Sequence, residues 1–476
     1  MFSDGFLQVQ DDQIIFPKPS NRDGMTMQNI LFHSDRLTLC MDKLLNIIPK
    51  AMEPERKLAE SYFTRNRELT FPKLITFILS LTVSGKSKGV DTKSGEFFKN
   101  AKRSGMWLDA RAVHRSSVTK ARGKVPWEVF QDLLQKAVGI AYELWPQRPQ
   151  DQWHGMNVYA TDGSKDDLPA TEEIRKEFDP QSGLQYTGKG HYPQCLVSTL
   201  YDVFRQLPIA RTVTGLNGSE REEAKALLPF VPPGSVWLFD RGYPSFELIL
   251  YLMEHFCGYF LFRCPASGTF PAVEAFIRTG KQEDIIWITP SNNFMSSVSP
   301  KERKTLKPIK LRVIRLVSPD GTISVLLTNL FDKTEFPASE IIDLYFKRWG
   351  VEGYYRDEKV VLEIEKFHGK TPNSIRQELF AVMIMSVIAR TLMSVSLEAF
   401  PGLQEFQFKH AIMTIASEAA VLVPDDPEKA AQIFEELIQE ISRVKYYRKK
   451  GPRPSEPRVN KRPLNKWCSG KTKKVA

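Results

Sequence analysis

The spacing of apolar residues divides the chain into stretches of different character. From Leu37 to about Trp145, apolar residues recur three and four positions apart, as in LCMDKLLNII, KLITFILSLTV and WEVFQDLLQKAVGIAYELW. This period predicts amphipathic helices. After the Pro- and Gln-rich segment 145–153, the apolar runs become short and are bounded by turn residues. The runs VYATD, QCLVSTLYDV, LPIARTVTG and VWLFD predict strands, with a helix over SEREEAKALLPFV, so we expect an α/β arrangement there.

Short, strand-like segments dominate again between about Cys257 and Leu330, and Asp320-Gly321 predicts a hairpin turn within them. Helical spacing returns from Ala338 to about Phe367 and from Asn373 to about Leu397. A β-rich piece therefore interrupts an α/β domain. We predict six segments: a flexible arm (1–36), a helical N-terminal domain (37–145), a first part of an α/β core (146–256), a β-rich insertion (257–335), a second part of the core (336–398) and C-terminal helices with a basic tail (399–476).

The net charge of +10 is concentrated at one end of the chain. Residues 443–476 contain 13 Lys and Arg and one Glu, so the other residues together carry a net charge of −2. A near-neutral body with a cationic tail predicts a polyanionic partner, either nucleic acid or an acidic membrane surface. A solubilising disordered tail is the alternative interpretation.

Several classes of protein are disfavoured by the sequence. The five cysteines are sparse and lack C-x-x-C spacing, which argues against a disulfide framework or structural zinc and for a reduced cytosolic setting. The N-terminal segment does not resemble a signal peptide, and the longest apolar run, 379–389, is too short to span a bilayer and is expected to be a core helix. Neither a P-loop nor a G-x-G-x-x-G fingerprint is present, so we expect no nucleotide cofactor.

Basic residues are interleaved with the N-terminal helices, and AVHRSSVTKARGKVPWEVF predicts a short helix, a turn and a second helix with a cationic face. This face is interpreted either as a solvated surface or as a DNA contact. The basic residues concerned are Lys86, Lys88, Lys99, Lys102, Arg103, Arg111, Arg115, Lys120, Arg122 and Lys124.

Two carboxylates follow predicted strands: Asp162 ends VYATD and Asp240 ends VWLFD. Sites in α/β sheets form beyond the carboxyl ends of strands, and two adjacent carboxylates repel unless a cation lies between them. Such oxygen ligands suit Mg²⁺ or Mn²⁺. A turn-forming or capping role is the simpler alternative for each Asp. Asp166 and Asp167 are expected to lie in a solvated loop.

A third element carries Tyr345, Arg348, Glu352 and Lys359 with the spacing Y-x2-R-x3-E-x6-K. On a continuous helix these four residues share an arc about 60° wide. A stripe that carries one aromatic residue, two cations and one acid differs from the apolar face of a core helix. An ordinary surface stripe with an i,i+4 pair between Arg348 and Glu352 would also produce it.

These motifs resemble those of the DDE transposases of bacterial insertion sequences, in the insertion sequence four family. Tyr345, Arg348, Glu352 and Lys359 match the family signature at every spacing, FDRGY (239–243) resembles its second-Asp motif, and ATDGS followed by LPAT resembles its first. The resemblance runs from about Leu37 to residues 465–467. It implies that 146–256 and 336–398 form a ribonuclease H-like catalytic core interrupted by the β-rich insertion. It also implies that the helical N-terminal domain, 37–145, binds DNA and that a helical C-terminal region ends in the basic tail.

The resemblance further implies that Asp162, Asp240 and Glu352 hold two divalent ions, Mg²⁺ or Mn²⁺. Tyr345, Arg348 and Lys359 would contact the DNA backbone, with Arg241 as a further phosphate ligand. Relatives with a base-stacking Trp carry it where this chain has Ser324, and Trp287 and Trp349 are expected to be core residues.

The implied function is cut-and-paste transposition: cleavage of the element ends and joining of the 3′-hydroxyls to target DNA. The implied partners are the terminal inverted repeats and target DNA, with a homodimer in the DNA complex, no membrane and a bacterial cytoplasmic, nucleoid-associated location. An inactive transposase-derived DNA-binding repressor and a metal-dependent nuclease without joining activity are the alternatives.

Overall fold

A computed structural model describes residues 35–65, 67–83, 88–146, 148–181, 192–318, 321–399 and 405–446. Nearly all of the predicted arm, 1–36, and the basic tail from 447 onward lie outside the described residues, as does Asp320 of the predicted hairpin turn.

Helices fill the N-terminal part of the chain, as the apolar spacing predicts. Their apolar stripes pack into one buried core that includes Phe77, Phe98, Trp107 and Phe130. The helices are α1 (Asp35–Leu45), α2 (Phe71–Leu81), α3 (Val90–Arg103), α4 (Arg115–Arg122) and α5 (Glu128–Leu144).

Within the described ranges, one eight-stranded sheet forms the centre of the fold, in the order β3-β2-β1-β4-β5-β8-β7-β6. The strands β1 to β3 form an antiparallel meander, and β1, β4 and β5 run parallel to one another. The fold is therefore mixed α/β, as predicted. The strands are β1 (Val158–Asp167), β2 (Gln194–Asp202), β3 (Leu207–Gly215), β4 (Val236–Phe239), β5 (Tyr259–Pro265), β6 (Glu283–Ile288), β7 (Ile309–Val317) and β8 (Ile323–Thr328).

The β-rich stretch after Cys257 continues this sheet. Strand β5 pairs in parallel with β4, and β8, β7 and β6 extend the sheet from β5 by antiparallel pairing. The strands β7 and β8 pair up to Val317 and Ile323, on either side of the predicted hairpin turn. The stretch thus lengthens the sheet that carries β1 and β4, and hydrogen bonding runs across the predicted boundary at residue 257.

The remaining helices precede, separate or follow the strands of the sheet. They are α6 (Glu172–Phe178), α7 (Glu220–Leu227), α8 (Phe246–His255), α9 (Pro271–Arg278), α10 (Asn292–Ser297), α11 (Pro300–Arg303), α12 (Ala338–Phe346), α13 (Trp349–Arg356), α14 (Pro372–Ala399), α15 (Phe408–Ser417) and α16 (Pro427–Arg443).

The long helix α14 lies at the centre of the helical layer. It packs against α5, α2, α15 and β3, and its apolar run 379–389 is buried, which confirms the predicted core helix. By length and composition alone, Pro372–Leu397 could cross a membrane, but 94% of its apolar window is covered by the rest of the protein. Burial among protein side chains therefore accounts for its composition.

The signature segment is not the continuous helix that the spacing predicts from Ala338 to Phe367. Helix α12 ends at Phe346, α13 begins at Trp349, and residues Asp357–Val361 form a π-helical turn. A π turn adds a residue per hydrogen-bonded ring and rotates the side chains after it away from the α-helical stripe. This correction matters for Lys359, which lies within that turn.

Candidate active site

The register of two parallel strands brings two acids to one level of the sheet. Thr161 of β1 is aligned with Phe239, the last residue of β4, so Asp162 and Asp240 follow at neighbouring positions. The prediction that Asp162 ends its strand was wrong. Strand β1 continues to Asp167, where it is still paired with strand β2. The crevice exists because β4 stops at Phe239 while β1 runs on.

Arg348 lies between the three predicted acids. Its guanidinium donates a 2.7 Å hydrogen bond to Oε1 of Glu352 and lies 3.5 Å from Oδ2 of Asp162 and 3.8 Å from Oδ1 of Asp240. The three carboxylates, which are distant along the sequence, therefore converge on one cation. The i,i+4 pair of Arg348 and Glu352 expected from the alternative interpretation is also present, but in a crevice with two further acids.

The electrostatics of this cluster favour an additional cation. Three carboxylates face one guanidinium, so the group carries an excess negative charge at neutral pH. Burial raises the pKa of Asp162 to about 7; the carboxylates of Glu352 and Asp240 add to this rise, and Arg348 opposes it. The side chain of Arg348 is 2% exposed, whereas those of Asp162, Asp240 and Glu352 are 21%, 32% and 33% exposed. The acids are therefore accessible from the crevice, although the arginine is not.

Two tyrosines hold the acids in place. The hydroxyl of the buried Tyr345 donates to Oδ1 of Asp240 at 3.2 Å, and the hydroxyl of Tyr355 donates to the backbone carbonyl of Asp162 at 2.6 Å. Gly163 donates its backbone N–H to Oδ1 of Asp162. Tyr345 is thus a buried support of the acid cluster in this structure, and its predicted contact with DNA stays a prediction.

Lys359 lies apart from the three acids. Its ammonium group forms an ion pair with Asp166 at 3.0 Å, another with Glu365 at 3.5 Å, and a hydrogen bond to the carbonyl of Lys165. Burial opposes the charge of Lys359, but these carboxylates outweigh it and raise its pKa. The expectation that Asp166 and Asp167 lie in a solvated loop was wrong: both lie in β1, where Asp166 is 1% exposed and Asp167 is partly buried.

Arg241 and Trp349 present exposed side chains. Arg241 follows Asp240 and forms no hydrogen bond or ion pair within the described part of the chain, which leaves it accessible to an anion. The expectation that Trp349 and Trp287 are core residues was wrong, since they are 58% and 57% exposed.

The cationic face predicted in the N-terminal helices is only partly available. Arg122 is buried and binds Glu378, Gln377 and the carbonyl of Ser374, so it joins α4 to α14. A cleft of about 1030 Å³ opens beside the same helix. Its basic lining residues are Arg65, Arg67, Lys120 and Lys124.

Sequence reasoning missed one acid beside the site. Glu220 begins α7, where an acid in the first turn is explained by the helix dipole alone. Its carboxylate packs against Gly163: a Cβ at that glycine would lie 2.5 Å from Oε1 of Glu220. The alternation of β1 gave no signal for this contact, since it depends on where α7 lies over the sheet.

The donor set fits a hard divalent ion, although its oxygens now surround a guanidinium. Within the described ranges, no three acidic, histidine or cysteine side chains are spaced as direct ligands of a metal. The convergence of Asp162, Asp240 and Glu352 on one buried cation nevertheless shows that all three can face a single positive charge. Carboxylate oxygens are the ligands that Mg²⁺ and Mn²⁺ prefer.

Comparisons with known proteins show which family this chain is similar to. Residues 153–388 match the family model described as the transposase DDE domain. The chain is similar to the transposase InsG for insertion sequence element IS4 of Escherichia coli K12, with 26% identity over 300 residues, covering 61% of this chain and 63% of InsG. It is also similar to the putative transposase y4zB of Sinorhizobium fredii, with 26% identity over 192 residues, covering 40% of this chain and 51% of y4zB.

The matched segments thus span less than two thirds of the length of these relatives. Among solved structures, the chain is similar to the piggyBac transposase synaptic complex with hairpin DNA, at a TM-score of 0.44 and 10% identity over 87% of this chain and 86% of that one.

The match of residues 153–388, which contain this acid cluster, to the transposase DDE domain supports the class of DDE transposases. Together with the similarity to InsG of insertion sequence IS4, this match supports a DDE transposase of the insertion sequence four family.

Proposed function

We propose that this protein cleaves the ends of an insertion sequence and joins the freed 3′-hydroxyls to target DNA. The observation that carries the proposal is the convergence of Asp162, Asp240 and Glu352 on one charged centre beyond the end of β4. Two bound Mg²⁺ or Mn²⁺ ions would supply charge neutralisation at the phosphorus and activation of the attacking oxygen.

The side chains of the protein would bind the divalent ions and orient the phosphates of the DNA. Asp162, Asp240 and Glu352 are the proposed metal ligands, and Tyr345 fixes the Asp240 carboxylate through its hydroxyl. When divalent ions satisfy the acids, the guanidinium of Arg348 becomes available to bind a phosphate in bidentate fashion. Arg241 is exposed beside Asp240 and is a second proposed phosphate ligand. Lys359 would act further along β1, where it now pairs with Asp166.

We further propose that strands β1 to β5 form a ribonuclease H-like core. Support comes from their order, 3-2-1-4-5, with an antiparallel meander followed by two parallel strands, and from acids on β1 and directly after β4. The six predicted segments remain proposals. The strands of the β-rich stretch belong to the same sheet as the core, and the N-terminal helices pack into the same hydrophobic core.

The proposed partners are the terminal inverted repeats of the element and its target DNA. Cutting and joining two DNA ends needs two active sites close together, so a homodimer in the DNA complex is part of the proposal. We place the protein in the bacterial cytoplasm, associated with the nucleoid, and we expect it to need neither a membrane nor a nucleotide cofactor.

The Glu352→Gln variant tests the catalytic assignment. It removes one negative charge and keeps the shape of the side chain, so we expect DNA binding to persist and Mg²⁺-dependent cleavage to be lost. The substrate is a plasmid that carries the DNA flanking the gene on both sides, and cleavage is measured on gels. Cleavage by Glu352→Gln at the wild-type rate would contradict the assignment.

Pre-cut ends incubated with a supercoiled target plasmid separate transposition from its two alternatives. A transposase converts the target into joined products. A nuclease cuts the flanked plasmid but makes no joined product, and an inactive repressor binds it without cutting.

A further inference from the structure

The crevice beyond β4 has a second wall, which β5 forms. Strand β4 ends at Phe239, whereas β1 on one side of it and β5 on the other both continue past that level. Phe262 of β5 is aligned with Phe239, so Arg263 follows at the level of Asp240. Adjacent strands lie about 4.8 Å apart, so β1 and β5 face each other across a gap of roughly 10 Å. Arg263 therefore stands on the opposite side of the gap from Asp162.

The side chain of Arg263 points to the same face of the sheet as that of Asp162. Residues aligned on parallel strands share a face, and consecutive residues of a strand alternate between faces. Phe239 and Phe262 share one face, where their rings stack at a centroid distance of 4.4 Å, and Thr161 is aligned with Phe239. Asp162 and Arg263 each follow one of these residues directly, so both point to the other face.

The guanidinium of Arg263 is held at one nitrogen and free at the other two. Arg263 is half-buried, and its Nε donates a hydrogen bond to Oγ of the buried Ser324 at 3.3 Å. Ser324 lies opposite Pro265, two residues beyond Arg263 along β5, so this bond draws the guanidinium toward the open end of the gap. The two terminal nitrogens form no hydrogen bond with the residues that the structure describes, and neither is sealed from solvent.

No carboxylate in the described part of the chain forms an ion pair with Arg263. Arg348, by comparison, is 2% exposed and has three carboxylates around it. The charge of Arg263 nevertheless reaches the acid cluster: burial raises the pKa of Tyr345, the tyrosine that donates to Asp240, and both Arg348 and Arg263 oppose this rise. A half-buried guanidinium with two unused donor groups and no countercharge favours an anionic ligand.

From this geometry we infer that Arg263 binds a DNA phosphate next to the scissile phosphate through its two terminal nitrogens, and that Ser324 is the residue that positions it. The inference rests on the proposed function, because it assumes that the scissile phosphate lies at the acids. A guanidinium fork matches two oxygens of one phosphate. Since Asp240 lies between Asp162 and Arg263, the strand of DNA would cross the gap from β1 to β5, with a neighbouring phosphate at Arg263.

Phosphate neutralisation tests the contact without reference to activity. The duplex carries an end of the element, and methylphosphonates replace about three phosphates on each side of the cleavage site, one at a time. Binding is measured by fluorescence anisotropy with Ca²⁺ in place of Mg²⁺, and gels confirm that the duplex is uncut. We expect one substitution to weaken wild-type binding by about tenfold. Arg263→Ala should bind unmodified DNA about tenfold more weakly and lose nothing further at that phosphate.

Two further variants separate positioning and folding from the contact itself. Ser324→Ala should weaken binding by about threefold in the wild type and not at all in Arg263→Ala, because it acts only through that side chain. Arg263→Lys keeps the charge and the aliphatic stem, which guards against a loss of folding in the alanine variant. It should bind about threefold more weakly than the wild type, with the loss confined to the same phosphate, because lysine offers no fork.

Arg278→Ala is the matched control for the loss of one positive charge. Arg278 is exposed at the end of α9, which packs against β6 at the far edge of the sheet, so every duplex should bind this variant as it binds the wild type. An unchanged methylphosphonate profile in Arg263→Ala and Arg263→Lys, with a wild type that cuts and joins DNA, would overturn the phosphate contact and leave the proposed function standing. A wild type that cuts no DNA would overturn both.

Discussion

At the scale of single residues, Arg348 has the most informative position. It is almost fully buried, and its charge is balanced by three carboxylates, each more exposed than itself. A buried cation with an excess of acids around it holds those acids at one place before any divalent ion is bound. When divalent ions bind the carboxylates, the guanidinium of Arg348 can bind a phosphate instead. Metal binding and phosphate binding at this site would therefore be coupled.

Replacing Arg348 by Ala should destabilise the metal-free protein by about 3 kcal/mol, because three acids then face one another without a cation. Divalent ions should recover much of this loss. We therefore expect added Mn²⁺ to raise the melting temperature more for Arg348→Ala than for the wild type, as measured by differential scanning fluorimetry. Arg241→Ala, which removes an exposed and unpaired arginine nearby, is the control and should melt like the wild type; an equal response to Mn²⁺ in all three proteins would contradict the interpretation.

The pKa of Asp162 predicts how the stability of the metal-free protein varies with pH. Because the folded state raises this pKa to about 7 from an ordinary value near 4, the folded protein holds the proton more tightly than the unfolded chain. The stabilisation from this proton is complete below about pH 4 and is lost as the pH rises through about 7. Asp162→Asn cannot lose a proton there, so wild-type stability should fall relative to the variant between about pH 4 and pH 7, by on the order of 2–4 kcal/mol, and level off above pH 7.

Urea unfolding with a chelator present measures this difference across the pH range. Parallel pH profiles for wild type and Asp162→Asn would show that the carboxyl titrates alike in the folded and unfolded states.

At the scale of secondary structure, the sequence predicted the elements better than their ends. Apolar spacing located β1 to β4, the N-terminal helices and the buried helix α14, because each has a side packed against the core. It could not show that β1 continues beyond Asp162, since that depends on the length of β2, nor that the signature helix breaks between Phe346 and Trp349. Asp162 and Asp240 were predicted from their places after apolar runs and Glu352 from the signature spacing, whereas Glu220 was missed because only packing brings α7 to β1.

The π-helical turn is held by a buried ion pair that fixes the signature segment to the sheet. Glu358 accepts hydrogen bonds from Arg211 of β3, at 2.7 Å, and from Tyr354, and both charged side chains are at most 1% exposed. The turn places Lys359 beside Asp166 and away from the acids around Arg348, where the helical stripe would have placed it. The ion pair between Glu358 and Arg211 therefore explains why Lys359 leaves the predicted helical stripe.

Glu358→Ala should lower the free energy of unfolding by about 3–5 kcal/mol, because it leaves the guanidinium of Arg211 buried without a countercharge. Urea unfolding of the full chain measures the loss. Glu177→Ala removes an acid from a more exposed pair with Arg376 and should cost about 1 kcal/mol or less. Similar losses in the two variants would mean that Glu358 does not hold the turn.

At the scale of the whole molecule, the distribution of charge separates a neutral body from a cationic end. Residues 447–476 contain eleven Lys and Arg and one Glu, a net charge equal to the +10 of the complete chain. The remaining residues balance to zero, and much of their positive charge is engaged internally, as in the pairs of Arg122, Arg211 and Arg348. Four further cations of the body, Arg65, Arg67, Lys120 and Lys124, line the cleft beside α4.

Removal of residues 447–476 should therefore weaken binding to DNA of any sequence and reduce the dependence of that binding on salt. Each phosphate neutralised contributes about −0.9 to the slope of log K against log salt concentration, so we expect the slope to become shallower by at least about 3. Fluorescence anisotropy with an unrelated duplex, over a series of salt concentrations, measures it. A full-length variant with the order of the tail residues scrambled keeps the charge and should keep the wild-type slope. If the truncated and full chains show the same slope, the cations of the body alone bind DNA, and the cleft lined by Arg65, Arg67, Lys120 and Lys124 becomes the place where its backbone is held.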